Sequence, residues 1–467
     1  MRKVLACGFC VIGIIGCAGS AAAADGDVDT GFGLDGIALT GIDSANGPAI
    51  VLQPDGSILL CDQELEANSD SGVDFLVARF SADGSLDHSF GTGGRLTLDF
   101  GQGYDGCADI ALQADGRIVL AGSTIAADGA HRFAIARLNI DGTPDGDFGT
   151  HGRVTLYNLG GGNFDRASSI AIQADGRIVV AGAADTPARD KNFVLVRLLD
   201  DGSLDASFDL DGVRPVPFII GDTYFSSLAK AVAIDAQGRI IAGGSAASPD
   251  FAGFAAVRLL ADGNLDPAFG EGGLVAFDLD PGSAPAAADA YGLALQRDGK
   301  IVLAGRNESF ILDPSLRNSD FALARLLPDG SLDANFGNDG RVLVPFDLIP
   351  RGRDQAAAVT EQPDGKLVAV GIAYSPGGLA AAIRVDARGE LDAGFGDSGK
   401  RTYAFPQAAN FRFTDLALRD DGIIVAGWAN VPGVRSDAFA TRLVYSRSDA
   451  VFADGFELDT ARQPGVR

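Results

Sequence analysis

The sequence predicts an all-β fold, a seven-bladed β-propeller of four-stranded antiparallel blades. A stretch of the form D-G-x-L-D-x-x-F-G, seen as DGSLDHSFGTGG at residues 83–94, returns along the chain, and its Phe residues are 58 to 67 positions apart. Each repeat also holds four short apolar runs separated by Gly/Asp turns, without helical periodicity. Radial repetition of four-stranded units makes a propeller, and seven copies allow a closed ring. An open β-solenoid is the alternative.

The four strands are clearest in the second repeat, at residues 108–113, 117–122, 133–138 and 153–157. Asp115-Gly116 separates the first two, and Asp-Gly between apolar runs favours a hairpin because Gly adopts positive φ without a clash. Residues 25–445 are therefore assigned to one propeller. Its seven second strands are expected to begin near Ile58, Ile118, Ile178, Ile240, Ile301, Leu367 and Ile423.

Three residues recur at fixed spacing: an Arg in the third strand, an Asp eight positions later and a Phe eleven positions later. This spacing predicts that Arg and Asp form a charge-assisted pair and that Phe packs between blades. Calcium binding by these Asp residues is the alternative. The sets are Arg79, Asp87 and Phe90; Arg137, Asp145 and Phe148; Arg197, Asp205 and Phe208; Arg258, Asp266 and Phe269; Arg325, Asp333 and Phe336; Arg384, Asp392 and Phe395.

A seventh Arg, Arg442, lacks these partners downstream, whereas Asp29 and Phe32 stand unmatched near the start of the chain with the same spacing of three. We therefore predict that the N-terminal segment completes the last blade. Arg442 then faces Asp29, and residues 37–40 pair with residues 438–443. This arrangement joins the two ends of the ring and removes exposed sheet edges.

The segments outside the repeats indicate export. Residues 1–24 read as a signal peptide, with Arg2 and Lys3 before an apolar stretch and an A-x-A site at residues 22–24. Lipidation at Cys17 is the alternative, and residues 446–467 are expected to be a disordered tail. In an oxidising compartment the two remaining cysteines, Cys61 and Cys107, are predicted to form a disulfide, because alignment brings them together in adjacent blades.

The long repeat can also be compared with known families. The motif D-G-x-L-D-x-x-F-G followed by a strand, then QADGRIVLAG and FAIARL, resembles the delta-60 repeat family of secreted bacterial proteins, over about residues 27–443. The resemblance implies a propeller-like fold and no generally assigned activity. Two repeats depart from the pattern: residues 379–385 lack the Phe of a third strand, and Phe208 is followed by Asp209 instead of Gly.

Binding residues are expected on one face of the ring, where the connections vary most, at residues 62–73, 158–166, 218–228, 306–319 and 346–355. Alignment of the innermost strands places three carboxylates at one equivalent position beside the mouth of the channel, with basic and aromatic residues close by. Capping of the loops is the alternative role. The candidate ligand-binding residues are Tyr104, Asp105, Asp165, Arg166, Arg351, Arg353 and Asp354.

The function predicted from these observations is that of a secreted, non-enzymatic binding or structural module for a protein or a glycan. A net charge of −25 argues against nucleic acid as a partner. No nucleophile–base pair is recognisable, and a membrane span, a cofactor or an oligomer is not expected. The alternative is an extracellular polysaccharide hydrolase or lyase that uses carboxylates at the channel mouth.

Overall fold

Twenty-nine β-strands and no helix make up the described part of the chain. The computed structural model describes residues 24–44, 47–65, 72–101, 103–188, 190–281, 287–308, 318–375, 377–405, 409–431 and 436–445. The predicted signal peptide, apart from Ala24, and the predicted tail lie outside the described residues. Among the described residues, no helix is long and apolar enough to cross a membrane.

The strands form seven antiparallel sheets arranged as a β-propeller. From the axis outward, the first three blades are β2 (Ala49–Leu52), β3 (Ile58–Leu65), β4 (Val73–Phe80) and β5 (Arg95–Leu98); β6 (Asp105–Leu112), β7 (Ile118–Ile125), β8 (His131–Leu138) and β9 (Arg153–Leu156); β10 (Asp165–Ile172), β11 (Ile178–Asp185), β12 (Lys191–Leu198) and β13 (Val213–Val216). The fourth is β14 (Phe218–Ile220), β15 (Thr223–Ile234), β16 (Ile240–Ser248), β17 (Phe251–Leu259) and β18 (Leu274–Phe277).

The remaining blades follow the same order. They are β19 (Ala287–Leu295), β20 (Ile301–Glu308), β21 (Ser319–Leu326) and β22 (Arg341–Val344); β23 (Gln355–Glu361), β24 (Leu367–Ala373), β25 (Leu379–Val385) and β26 (Lys400–Tyr403); β27 (Ala409–Arg419), β28 (Gly422–Asn430), β29 (Asp437–Leu443) and β1 (Ile37–Asp43). The seven-bladed prediction is confirmed. Six second strands begin at the residue expected from the sequence, and β28 begins one residue earlier.

The N-terminal strand closes the ring, as predicted. β1 pairs with β29 through Ile37 opposite Thr441 and Leu39 opposite Phe439. The Arg442 Nε atom donates a hydrogen bond of 2.8 Å to Asp29 Oδ2. The last blade therefore takes its outer strand from the start of the chain.

The recurrent Arg, Asp and Phe hold neighbouring blades together. In the second blade, Arg137 is 1% exposed, its Nε lies 2.7 Å from Asp145 Oδ2, and its guanidinium lies 4.7 Å from the ring centre of Phe148. Burial opposes ionisation of Asp145, yet the backbone N–H of Asp147 and the guanidinium of Arg137 hold its pKa below the usual value. The same arginine donates a further hydrogen bond to the carbonyl of Asp200 in the next repeat. Each set therefore connects its own turn to the following blade.

The fourth blade corrects one expectation. Residues 218–228 were expected to be a variable connection, but they form the hairpin of β14 with the beginning of β15, where Phe218 lies opposite Phe225. Phe218 is fully buried, with its ring centre 5.2 Å from that of Phe193. Packing of this side chain against the third blade explains why the segment extends the sheet.

A disulfide joins the first two blades. Cys61 of β3 and Cys107 of β6 are bonded, with their Cα atoms 6.0 Å apart. Both residues are buried. The bond therefore lies inside the interface between adjacent blades.

Candidate functional site

A β-bulge in the innermost strand is repeated in blades two to seven. In each case the pairing register shifts by one residue, for example between Ser169 and Ala167 in β10. The extra residue is unpaired and lines the axial cavity, because a bulge redirects a side chain. Together with Gly47 ahead of β2, these residues form a ring that we call the neck. Its members are Gly47, Ala108, Ser168, Lys230, Tyr291, Ala357 and Thr414.

The cavity is larger on the side where the inner strands begin, which is the side of the variable connections. Its upper part has a volume of about 580 Å³, against about 140 Å³ for the part below. Four residues that precede the neck by two positions line the upper part but not the lower: Arg166, Leu228, Gln355 and Arg412. We call them the lip. At 3.2–3.4 Å per residue along a strand, the lip lies roughly 6 Å above the neck.

The upper cavity gathers cationic side chains, although the whole chain is strongly acidic. Arg166, Lys191, Lys230 and Arg412 all line it. The Lys191 Nζ lies 4.0 Å from the ring centre of Phe164, and the Arg412 guanidinium lies 5.0 Å from the ring of Trp428. Each of these two cations lies close to an aromatic face, to which a cation is attracted, and Lys191 also pairs with Asp185 at 3.7 Å. The site therefore has a local charge opposite to that of the protein.

Burial and like charge act on the lysine of the neck. They lower the pKa of Lys230, through desolvation first and the neighbouring guanidinium of Arg166 second, while Asp289 acts in the other direction. Burial also lowers the pKa of Arg412. An anion that enters the cavity relieves this repulsion, because an opposite charge favours the charged form of each group.

One tyrosine stands beside the lysine in the neck. Burial, followed by the charge of Asp289, raises the pKa of Tyr291 to about 12, so its hydroxyl keeps its proton at neutral pH. Asp289 accepts a hydrogen bond of 2.8 Å from Arg306 Nη2 and lies 3.5 Å from the Tyr291 hydroxyl. The neck thus offers an ammonium group and a phenol from adjacent blades.

The three predicted carboxylates hold loops together. Asp105 accepts a hydrogen bond of 2.7 Å from the backbone N–H of Phe100, and Asp165 accepts one of 3.2 Å from Leu159. Asp354 accepts bonds of 2.8 Å each from Phe346 and Tyr374. All three are buried, and burial raises the pKa of Asp105 and of Asp165 to about 6. These contacts favour the loop-capping alternative.

The remaining predicted binding residues do not share one location. Arg166 is the member of the predicted set that lines the described cavity. Tyr104 donates a hydrogen bond from its hydroxyl group to the side chain of Gln63. The backbone of Arg353 forms an isolated parallel β-bridge with that of Ser319, and Arg351 has a left-handed backbone conformation with φ 65°. The structure therefore does not bring the set together at one cavity. Lys191, Lys230, Tyr291 and Arg412 could not be predicted from the sequence, because only the bulges and the ring show which side chains line the cavity.

The predicted calcium alternative concerned the Asp residues of the repeats, and these carboxylates pair with arginines. A separate acidic group exists beside the second inner strand. Asp74, Asp99 and Asp105 each place one oxygen within 4.8 Å of the others. Such groups are common without an ion, so calcium binding stays a prediction.

The repeats match a family of propeller sequences. Six segments, residues 65–90, 113–148, 173–208, 237–269, 296–336 and 362–395, match the family model described as a domain of unknown function (DUF5122) beta-propeller. These matches support a propeller repeat family. No curated protein matches the sequence.

Solved structures resemble the fold at low identity. The polysaccharide lyase Uly1 is 10% identical with a TM-score of 0.50, over 91% of this chain and 94% of that one. A PL25 ulvan lyase bound to -[GlcA(1-4)Rha3S]- is 11% identical with a TM-score of 0.49, over 89% and 98%. A protein of unknown function from Dyadobacter fermentans DSM 18053 is 13% identical with a TM-score of 0.44, over 88% and 97%. At these identities the likeness concerns the fold alone.

Proposed function

We propose that this protein is an exported binding module of the delta-60 repeat type that holds an anionic ligand, an acidic glycan chain, in the axial cavity. The observation that carries the proposal is the convergence of Arg166, Lys191, Lys230 and Arg412 on one cavity. A volume of about 580 Å³ falls in the range of small-molecule sites. The rigid ring keeps these cations in place before the ligand arrives.

The acidic surface does not prevent this binding. At physiological ionic strength, charges on the surface are screened beyond about 8 Å. Inside the cavity the cations act at contact distance, where an ion pair at 4 Å gains about 1 kcal/mol in bulk water and about 4 kcal/mol near a protein surface. The local field of the cavity therefore governs which ligand enters.

The proposal is tested by calorimetric titration of the folded protein with oligogalacturonate, a sulfated glycan and neutral dextran. The acidic glycans should bind, and dextran should not. Arg166→Gln and Lys230→Met should each weaken binding about tenfold or more, which corresponds to 1.4 kcal/mol. Rising salt should weaken it further, because the attraction is electrostatic.

Arg132→Gln is the matched control. Arg132 lies at the start of β8 and pairs with Asp128 at 2.9 Å, and it is not among the described residues that line the cavity. Its substitution removes one positive charge and should leave the affinity unchanged. If it weakens binding as much as Arg166→Gln, or if dextran binds as tightly as the acidic glycans, the proposed site is wrong.

A second candidate function is β-elimination in a uronate polysaccharide. The observation that favours it is the presence of Lys230 and Tyr291 together in the neck. A neutral Lys230 would take the proton from C5 of the uronate, the C–H electrons would form the C4=C5 double bond, and the C4–O bond would break. Tyr291 would give its proton to the departing oxygen. Arg166 would neutralise the uronate carboxylate.

The elimination is tested by the ultraviolet absorbance of the unsaturated product. Turnover that is lost in Lys230→Met and Tyr291→Phe, with ligand still bound, would establish the lyase. Tight binding of oligogalacturonate without any absorbance change would rule it out and leave the binding module. A carboxylate-based hydrolase is not proposed, because Asp105, Asp165 and Asp354 cap loops.

A further inference from the structure

We infer that the axial cavity accepts the end of an acidic chain, with one anionic group at the lip between Arg166 and Arg412 and a second at Lys230 in the neck. This inference rests on the proposed function and specifies how the ligand is recognised. It follows from the enclosure of the cavity, from the position of the cations and from the small size of the other neck residues.

The cavity is enclosed by the inner strands. Seven of them surround the axis, and in the described part of the chain each inner strand contacts the inner strands of both neighbouring blades. The lower part of this cavity has a volume of about 140 Å³, against about 580 Å³ for the upper part. A ligand that reaches the narrow part must enter along the axis.

The lip holds cations on two sides. Arg166 belongs to the third blade and Arg412 to the seventh, and these blades are almost opposite each other in a ring of seven. Gln355 of the sixth blade adds an amide. An anionic group at the mouth can therefore receive donors from two directions.

The neck has one cation, and the narrow part of the cavity also contains Asp415, whose carboxylate accepts backbone hydrogen bonds from Ile50 and Leu416. Lys230 and Tyr291 are the two long side chains of the neck, and they come from adjacent blades. The other members are Gly47, Ala108, Ser168, Ala357 and Thr414, which leave the opposite side of the ring open. The Lys230 position lies roughly 6 Å below the lip along the inner strands. A second anionic group that extends below the first can reach it.

The interior of a long polymer cannot make both contacts. A chain that lies across the mouth contacts the lip, and its anionic groups stay above the neck. The end of a chain can descend, with its terminal unit at Lys230 and its next unit at the lip. Two charged units should therefore bind much more tightly than one, and additional units should add little.

The test compares galacturonate with oligogalacturonates of increasing length and with the polymer, by calorimetry on the folded protein. The dimer should bind at least about tenfold more tightly than the monomer, a gain of 1.4 kcal/mol. Beyond the trimer, the affinity expressed per chain should be constant, and the stoichiometry on the polymer should equal the number of chain ends.

Lys230→Met should abolish the gain from the second unit while monomer binding at the lip persists, whereas Arg166→Gln should weaken both. Affinity per chain that keeps rising with the number of units would overturn end recognition, since it means that internal units bind. In that case the proposed function survives. If no acidic oligomer of any length binds, the proposed function itself fails.

Discussion

Replacing Phe32 with alanine tests whether the start of the chain is a structural part of the ring. Phe32 is fully buried, and the guanidinium of Arg442 from the last blade lies 5.7 Å from its ring centre. The next residue, Gly33, donates its backbone hydrogen to the carbonyl of Asp83 in the first blade at 2.7 Å. The equivalent bond in the following repeat runs from Gly91 to Asp141 at 3.0 Å. Phe32 therefore occupies the position of an internal repeat, between the last blade and the first.

The loss of stability expected for Phe32→Ala follows from the burial of the Phe32 side chain. Truncating a buried Phe to Ala costs about 3–5 kcal/mol, through lost transfer energy and the cavity left behind. Unfolding entropy near 2 cal/mol/K per residue, over roughly 420 residues, converts this cost to a fall in Tm of about 3–6 °C. Phe148→Ala is the matched control, because Phe148 is equally buried between the second and third blades. Both variants should lose the same free energy of unfolding in urea.

A difference between these two variants would contradict closure of the ring by the first segment. If Phe32→Ala loses less than about 1 kcal/mol while Phe148→Ala loses 3–5 kcal/mol, the first segment unfolds independently of the ring. The closure would then contribute nothing to the stability of the propeller. Near-equal losses in one cooperative transition would show that the seven blades unfold as a closed unit.

Three further predictions follow from the structure. Deleting residues 25–40 should lower the temperature at the midpoint of unfolding of the whole ring, measured by circular dichroism, whereas deleting residues 446–467 should not. Equal midpoints in the two deletion variants would contradict closure of the ring by the N-terminal segment. Arg137→Met should cost about 1–3 kcal/mol in urea denaturation, because the buried Asp145 loses its arginine partner at 2.7 Å and, of its two arginine contacts, keeps only the longer one of 3.3 Å with Arg117. Arg132→Gln should cost less than about 1 kcal/mol, because its partner Asp128 is 60% exposed and stays solvated. Burial raises the pKa of Asp415 from 3.8 to about 7. Between these pH values the folded state holds a proton that the unfolded state has lost. The stabilisation of the folded state by this proton is complete below pH 3.8 and disappears as the pH rises to about 7. Denaturation between these pH values should therefore show falling stability with rising pH, and Asp415→Asn should flatten the slope whereas Asp128→Asn, at an exposed site, should not.

Much of the fold could be predicted from the repeat itself. Asp-Gly turns mark hairpins because their backbone needs positive φ, as at Gly116 with φ 86°. Fixed spacing identified Arg442 and Asp29 as partners, because six other repeats show the same residues in one uninterrupted stretch. The hairpin at β14 was missed, since Phe218 is held by packing against Phe193 in another blade, and no local signal reports such a contact.

Local turns and a pattern repeated seven times are enough to predict the number of blades, the strand positions and the closure of the ring from the amino acids alone. The tertiary structure decided the site. Arg166 and Arg412 are distant in the chain, and they line the same cavity because the ring brings every inner strand to one axis. Lys230 and Tyr291 face that axis because a bulge redirects one residue per strand. The sequence does not show this bulge, because it depends on how each inner strand pairs with its neighbour.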